Sequence, residues 1–204
     1  MKGHFFKYCC IILALFVVQT TAVAGNTCQQ PNYLNAVKVT FLSWTTGSTK
    51  VSYERALPAW KQSGEVSASV IGAGYDKYDN NPKGFTLRYG HKFFIAQNDI
   101  SLKGFYLRPE IIGTRFNFNC TNTGIHNCSG SGNRGKAAMG AFLGTAGYQY
   151  LYRRFLLDMW FGAGYAFGTP ADTGYLHGFQ LWNYLGSRND NIAVSFSIKL
   201  GLCF

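Results

Sequence analysis

Three carboxylates and five cations occupy alternating positions within otherwise apolar stretches: Glu54, Glu110 and Asp158, with Lys38, Arg88, Lys92, Arg108 and Lys199. Gathered in one place, such a set can form a binding site or a proton path. Alternatively its members neutralise one another, because a buried charge without a partner is costly. Histidine offers a second kind of chemistry. His91 falls in an alternating stretch, and His126 and His177 fall in two long polar stretches. Lipid-modifying barrel enzymes work through His, Ser or paired carboxylates. No Ser/His/Asp arrangement of recognisable spacing surrounds these histidines, and "HNC" at 126–128 is too small a motif for a metal. The expectation is therefore not an enzyme: no catalytic residue, cofactor or metal is assigned.

The elements that must position these residues are strands. Charged residues make up only 14% of the chain, well below the level of about 25% usual for soluble globular chains. The 24 glycines, 13 tyrosines and 17 phenylalanines suit strands and turns. The final stretch "NIAVSFSIKLGLCF" places Ile192, Val194, Phe196, Ile198, Leu200, Leu202 and Phe204 on one face, with Ser195, Ser197, Lys199 and Cys203 on the other. Seven more segments of this kind precede it, at 36–45, 49–57, 65–78, 84–95, 101–118, 136–152 and 155–168. In the fourth, Phe85, Leu87 and Tyr89 oppose Thr86, Arg88 and Lys92. In the fifth, Phe105, Leu107, Pro109 and Ile111 oppose Tyr106, Arg108 and Glu110. In the seventh, Leu157, Met159, Phe161 and Tyr165 oppose Asp158 and Trp160. The sixth admits either parity, because Gln149 conflicts with Gly140 and Gly144.

Hairpin-linked strands of about ten residues predict an all-β, eight-stranded antiparallel up-and-down barrel. The links alternate in length, with 58–64, 96–99 and 153–154 at one end and 46–48, 79–83, 119–135 and 169–190 at the other. Short links at one end and the longest at the other are the asymmetry of an outer-membrane barrel. A lipocalin-like soluble barrel would turn its apolar face inward instead. A bilayer demands closure, since an open sheet edge would leave backbone groups unpaired in hydrocarbon. Aromatics near strand ends (Trp44, Tyr53, Tyr78, Phe94, Tyr150, Tyr152, Phe155, Phe167) would supply interfacial girdles.

The first residues read as an export signal. "MKGHFFK" is basic, "YCCIILALFVV" is apolar, and Ala22-Val23-Ala24 has the form of a cleavage site. The apolar run is too short to be a spanning helix. The expected organisation is a cleaved signal at 1–24, a periplasmic tail at 25–36 and the barrel at 37–204. Cleavage leaves Cys28, Cys120, Cys128 and Cys203. In an oxidising compartment a Cys120–Cys128 bridge would close a small loop, and a Cys28–Cys203 bridge would staple the tail to the closing strand. The net charge is +10, with the basic residues spread singly. That charge points to anionic lipid and not to nucleic acid. Tyr175, Phe179, Trp182 and Tyr184 make 169–190 a candidate contact surface, or a cover for the barrel mouth. "FQLWNYL" at 179–185 has the composition for a turn or two of helix.

The segments "VSYERAL" (51–57), "GFYLRPEI" (104–111) and "GTAGYQYLYRRFLLDMWFGAGYAFG" (144–168) resemble the small eight-stranded outer-membrane barrel proteins of Bacteroidetes, a family defined as a domain of unknown function. The resemblance spans most of 37–204. It implies a barrel in the bacterial outer membrane, a link in some members to surface-fibre gene clusters, and no catalytic residues. The terminal Phe204 resembles the signal by which barrels are recognised for assembly.

The expected function is structural or surface-interacting, through the long outer loops, with a lumen filled by side chains as eight strands dictate. A lipid-modifying enzyme and a narrow pore are the alternatives. The expected partners are outer-membrane lipids, the barrel-assembly machinery and a surface protein or fibre.

Overall fold

A computed structural model describes residues 32–41, 43, 48–57, 60–74, 81–95, 101–119, 134–168, 180–181 and 192–204. Its strands are β1 (Asn35–Thr40), β2 (Ser48–Leu57), β3 (Gln62–Ile71), β4 (Lys83–Phe94), β5 (Gly104–Asn119), β6 (Arg134–Tyr152), β7 (Phe155–Gly168), β8 (Gln180–Leu181) and β9 (Ile192–Cys203). Each of β1 to β6 pairs antiparallel with the next, β7 pairs with β9, and β9 pairs with β1. The result is a closed eight-stranded antiparallel β-barrel, with the two-residue β8 as an addition. Closure leaves no long open edge, which an exposed sheet of this length would otherwise present.

Alternation in the sequence becomes alternation in burial. From Gly104 to Phe118 of β5, every even residue is buried and every odd one exposed. The inward row carries Tyr106, Arg108, Glu110, Ile112, Thr114 and Phe116, and the outward row carries Phe105, Leu107 and Ile111. β4, β7 and β9 show the faces expected of them, with Phe85, Leu87, Phe161, Phe196 and Leu200 all exposed. In β6 the odd residues point inward, among them Met139, Leu143, Thr145, Gln149 and Leu151. Gly140 is buried despite its outward parity because the Phe167 ring lies over it: a Cβ there would meet Phe167 Cε2 at 2.5 Å.

Three segments depart from expectation. β1 ends at Thr40, short of the ten-residue strand read at 36–45, although the Phe41 N–H still donates to the Ile198 carbonyl at 2.8 Å. Further along the same edge of β9, β8 pairs Gln180 with Val194 and Leu181 with Ala193. The described part of 179–185 is thus strand, not helix. β3 spans Gln62–Ile71 and does not run on to Tyr78. Gly72 follows at φ 92°, a conformation that L side chains rarely adopt, and a Cβ there would meet the Pro82 carbonyl oxygen at 2.2 Å.

The two longest connections, 120–133 and 169–191, lie at one end with 41–47 and 72–82, and 58–61 and 153–154 lie at the other; β5 starts at Gly104 and not at 101, so the link expected at 96–99 spans 95–103. Inside, side chains are layered. Ala36, Ala56, Leu102, Leu151, Leu156 and Cys203 cluster near the 153–154 turn. A second apolar cluster, including Ile71, Phe116, Phe118, Met139 and Leu143, lies toward the other end. The charged residues lie between them.

Candidate functional site: a buried charge network

Register brings the charges together. Glu54 of β2 lies directly across from Glu65 of β3. Like charges so placed repel and would destabilise the sheet if left alone. Lys38 from β1 and Lys92 from β4 resolve the conflict, and Asp158 arrives from the far wall, paired in register with Gln149 and Lys199. Lys38 Nζ lies 2.5 Å from Glu54 Oε2 and 2.7 Å from Asp158 Oδ2, and it also contacts Glu65. Lys92 Nζ reaches the same three carboxylates, at 3.1 Å (Glu54), 3.0 Å (Glu65) and 2.7 Å (Asp158).

The arginines extend the network toward the long-loop end. Arg108 Nη1 lies 3.4 Å from Glu65 and Nη2 3.2 Å from Glu110, while its Nε donates to Thr145 Oγ1 at 3.0 Å. Arg88 Nε sits 3.2 Å from Glu110 Oε1, at an angle that makes an ion pair but no hydrogen bond. Its Nη2 donates to Ser195. Lys199 contacts Glu65. The Trp160 ring faces Arg108 at 4.5 Å and Arg88 at 5.2 Å, adding cation–π attraction inside a water-poor interior. Tyr106 donates to Asp158 Oδ1 at 2.5 Å, and Gln149 bridges Lys92 and Glu54.

All eight charged residues read from alternation are therefore buried in one network: Lys38, Glu54, Arg88, Lys92, Arg108, Glu110, Asp158 and Lys199. Sequence reasoning missed Glu65, the carboxylate that touches the most cations. Its signal was parity: Glu65, Ser67 and Ser69 share the inward face of β3, against outward Val66 and Val70.

The arrangement restricts chemistry. Glu54, Glu65 and Asp158 each offer an oxygen, all within 4.8 Å of one another, as a metal site would require. Two ammonium groups already contact all three carboxylates, so the position that a metal would occupy is filled. Every carboxylate of the set is paired, which leaves none as a ready general base. His91, on the outer face of β4, has Nε2 2.8 Å from Gln62 Oε1 and Nδ1 3.3 Å from the Tyr89 hydroxyl. Neither partner is a nucleophile–base pairing of the kind catalysis uses.

Cys203 carries a free thiol among the described residues, and Cys28, its expected partner, lies outside them. The inward parity of Cys203 buries the sulfur in the apolar cluster with Ala36, Leu151 and Leu156. Cys28 itself, Cys120 and Cys128, the loop residues Tyr175, Phe179, Trp182 and Tyr184, the aromatics Trp44 and Tyr78, His126, His177 and the signal at 1–24 lie outside the described residues. Phe204 is exposed, and its backbone exchanges two hydrogen bonds with Asn35, at 2.9 and 3.1 Å.

No family model, curated protein or solved structure matches the chain.

Proposed function

We propose that the chain is a bacterial outer-membrane barrel whose lumen is plugged by its own ion pairs and whose role is structural or surface-interacting. The observation that carries this reading is the inverted distribution of polarity. Lys38, Glu54, Lys92, Arg108 and Asp158 are buried inside, while Val39, Val66, Val70, Leu87, Leu107, Ile111, Phe161, Phe196 and Leu200 are exposed outside. In water that belt would be a large aggregation-prone patch. In hydrocarbon it is the low-energy surface, and strands of about ten residues span the needed thickness when tilted.

At the short-turn end, Trp60, Phe105, Tyr150, Tyr152, Phe155 and Phe204 are exposed together and suit an interfacial girdle. The lipids around the belt, the assembly machinery that would read Phe204, and a surface protein or fibre at the long loops are the partners of this reading. The resemblance to the Bacteroidetes barrel family supports the same assignment.

Membrane fractionation of native cells, with cold and heated samples compared on gels, tests the proposal. The expected result is outer-membrane recovery and a heat-dependent mobility shift. Recovery in the soluble periplasmic fraction would end the reading. Planar-bilayer recording is expected to show no stable large conductance, and such a conductance would favour the pore.

A further inference from the structure

The charge ledger of the lumen does not close on its own residues. Lys50 of β2 also has inward parity, which makes six cations facing four carboxylates among the described residues. Among the described residues, the ion pairs of Glu54, Glu65, Glu110 and Asp158 all go to Lys38, Arg88, Lys92, Arg108 or Lys199. None goes to Lys50. Lys50 joins Arg88 and Lys199 in lining a small cavity on the long-loop side of the network, together with Ser67, Ser69 and Thr86. Three positive groups around one cavity repel one another, and a low-dielectric wall strengthens that repulsion.

A second observation points into the same space. Ser69 is 5% exposed, and among the described residues its hydroxyl has no hydrogen-bond partner. A buried hydroxyl without a protein partner is placed to bond an occupant of the cavity. The cavity has room for about one water-sized occupant. That is too small for a phosphate or a lipid headgroup, which leaves a water or a single monatomic ion as the occupant, and the surrounding positive charge favours an anion.

We propose that the cavity lined by Lys50, Arg88, Lys199 and Ser69 is a halide site that holds one chloride ion. The ion accepts hydrogen bonds from the Lys50 ammonium and the Ser69 hydroxyl and offsets part of the cation surplus. Arg88 and Lys199 keep their carboxylate partners and contribute field, with Lys50 as the group without one. Chloride entering from the long-loop side meets Lys50 first, because Lys50 is the least buried of the three cations.

The test is chloride-35 NMR on the full chain refolded in non-ionic detergent, with chloride as the probe. The expected result is line broadening above that of empty micelles, saturable and displaced by bromide. Lys50→Met is expected to weaken the site by about tenfold or more, as the loss of a charge-assisted contact implies. Ser69→Ala, which removes only the hydroxyl, is expected to weaken it less and to keep the barrel folded. Broadening no greater than in empty micelles overturns the proposal, as does broadening that both variants leave unchanged. Should Lys50→Met fail to fold on cold gels, Ser69→Ala decides alone, and unchanged binding there overturns it.

Discussion

Replacing Glu65 with glutamine tests the network where it is most shared. The substitution keeps the size of the side chain and removes one charge. Glu65 contacts Lys38, Lys92, Arg108 and Lys199, and for Lys199 it is the only carboxylate within ion-pair distance among the described residues. Removing one partner of a buried ion pair costs about 3–5 kcal/mol, since the other charge is left uncompensated. Three of the four cations retain Glu54, Glu110 or Asp158, so the cost should concentrate on Lys199 and fall near the lower bound. About 3 kcal/mol is a roughly hundredfold shift in the folding equilibrium. The assay is urea unfolding of the barrel in lipid vesicles, followed by tryptophan fluorescence and gel mobility. A companion Lys199→Met variant and the double variant complete a cycle. If the pair is the unit of stability, the double variant is less destabilised than the sum of the singles by about 1–3 kcal/mol. A cost for Glu65→Gln below about 1 kcal/mol, or strict additivity in the cycle, would refute the reasoning.

Other perturbations probe the remaining layers. Phe196→Arg, at the middle of the outer belt, should cost about 2–4 kcal/mol in vesicles, whereas a water-facing site would tolerate it within about 0.5 kcal/mol, as urea titration would show. Gly164→Ala should lower stability by about 1–3 kcal/mol in the same titration, because a Cβ there would fall 1.8 Å from the Phe142 carbonyl oxygen and the backbone must move. Cys203, 1% exposed, should resist maleimide in the folded barrel and react after unfolding, read by mass spectrometry of the C-terminal peptide.

How far the sequence could be read depended on side-chain contrast. β7 was legible to the residue, 155–168, because Asp158 and Trp160 alternate with Leu157, Met159 and Phe161. β6 was not legible, because glycines carry no polarity and a Phe167 ring covers the place where a side chain at Gly140 would sit. The charged interior was legible as a set of inward positions. Its centre was not, because Glu65 becomes central only through its cross-strand register with Glu54, which no single strand encodes. Lys50 was overlooked for the same reason: its significance lies in the distribution of the other charges. That β8 shares an edge of β9 with β1, from 140 residues further along the chain than Thr40, is beyond the reach of any local pattern.

The seam between the first and last strands carries a consequence for the order of assembly. Lys38 reaches Asp158 across 120 residues of chain, and Lys199 reaches Glu65 across 134. In a sheet still open between β1 and β9, the Glu54–Glu65 pair would lack at least one of the ammonium groups that neutralise it. Zipping the seam and discharging the interior are therefore one cooperative event. A half-built barrel carries a penalty that only the final pairing removes, so partially closed intermediates are short-lived and the closed ring is kinetically hard to reopen.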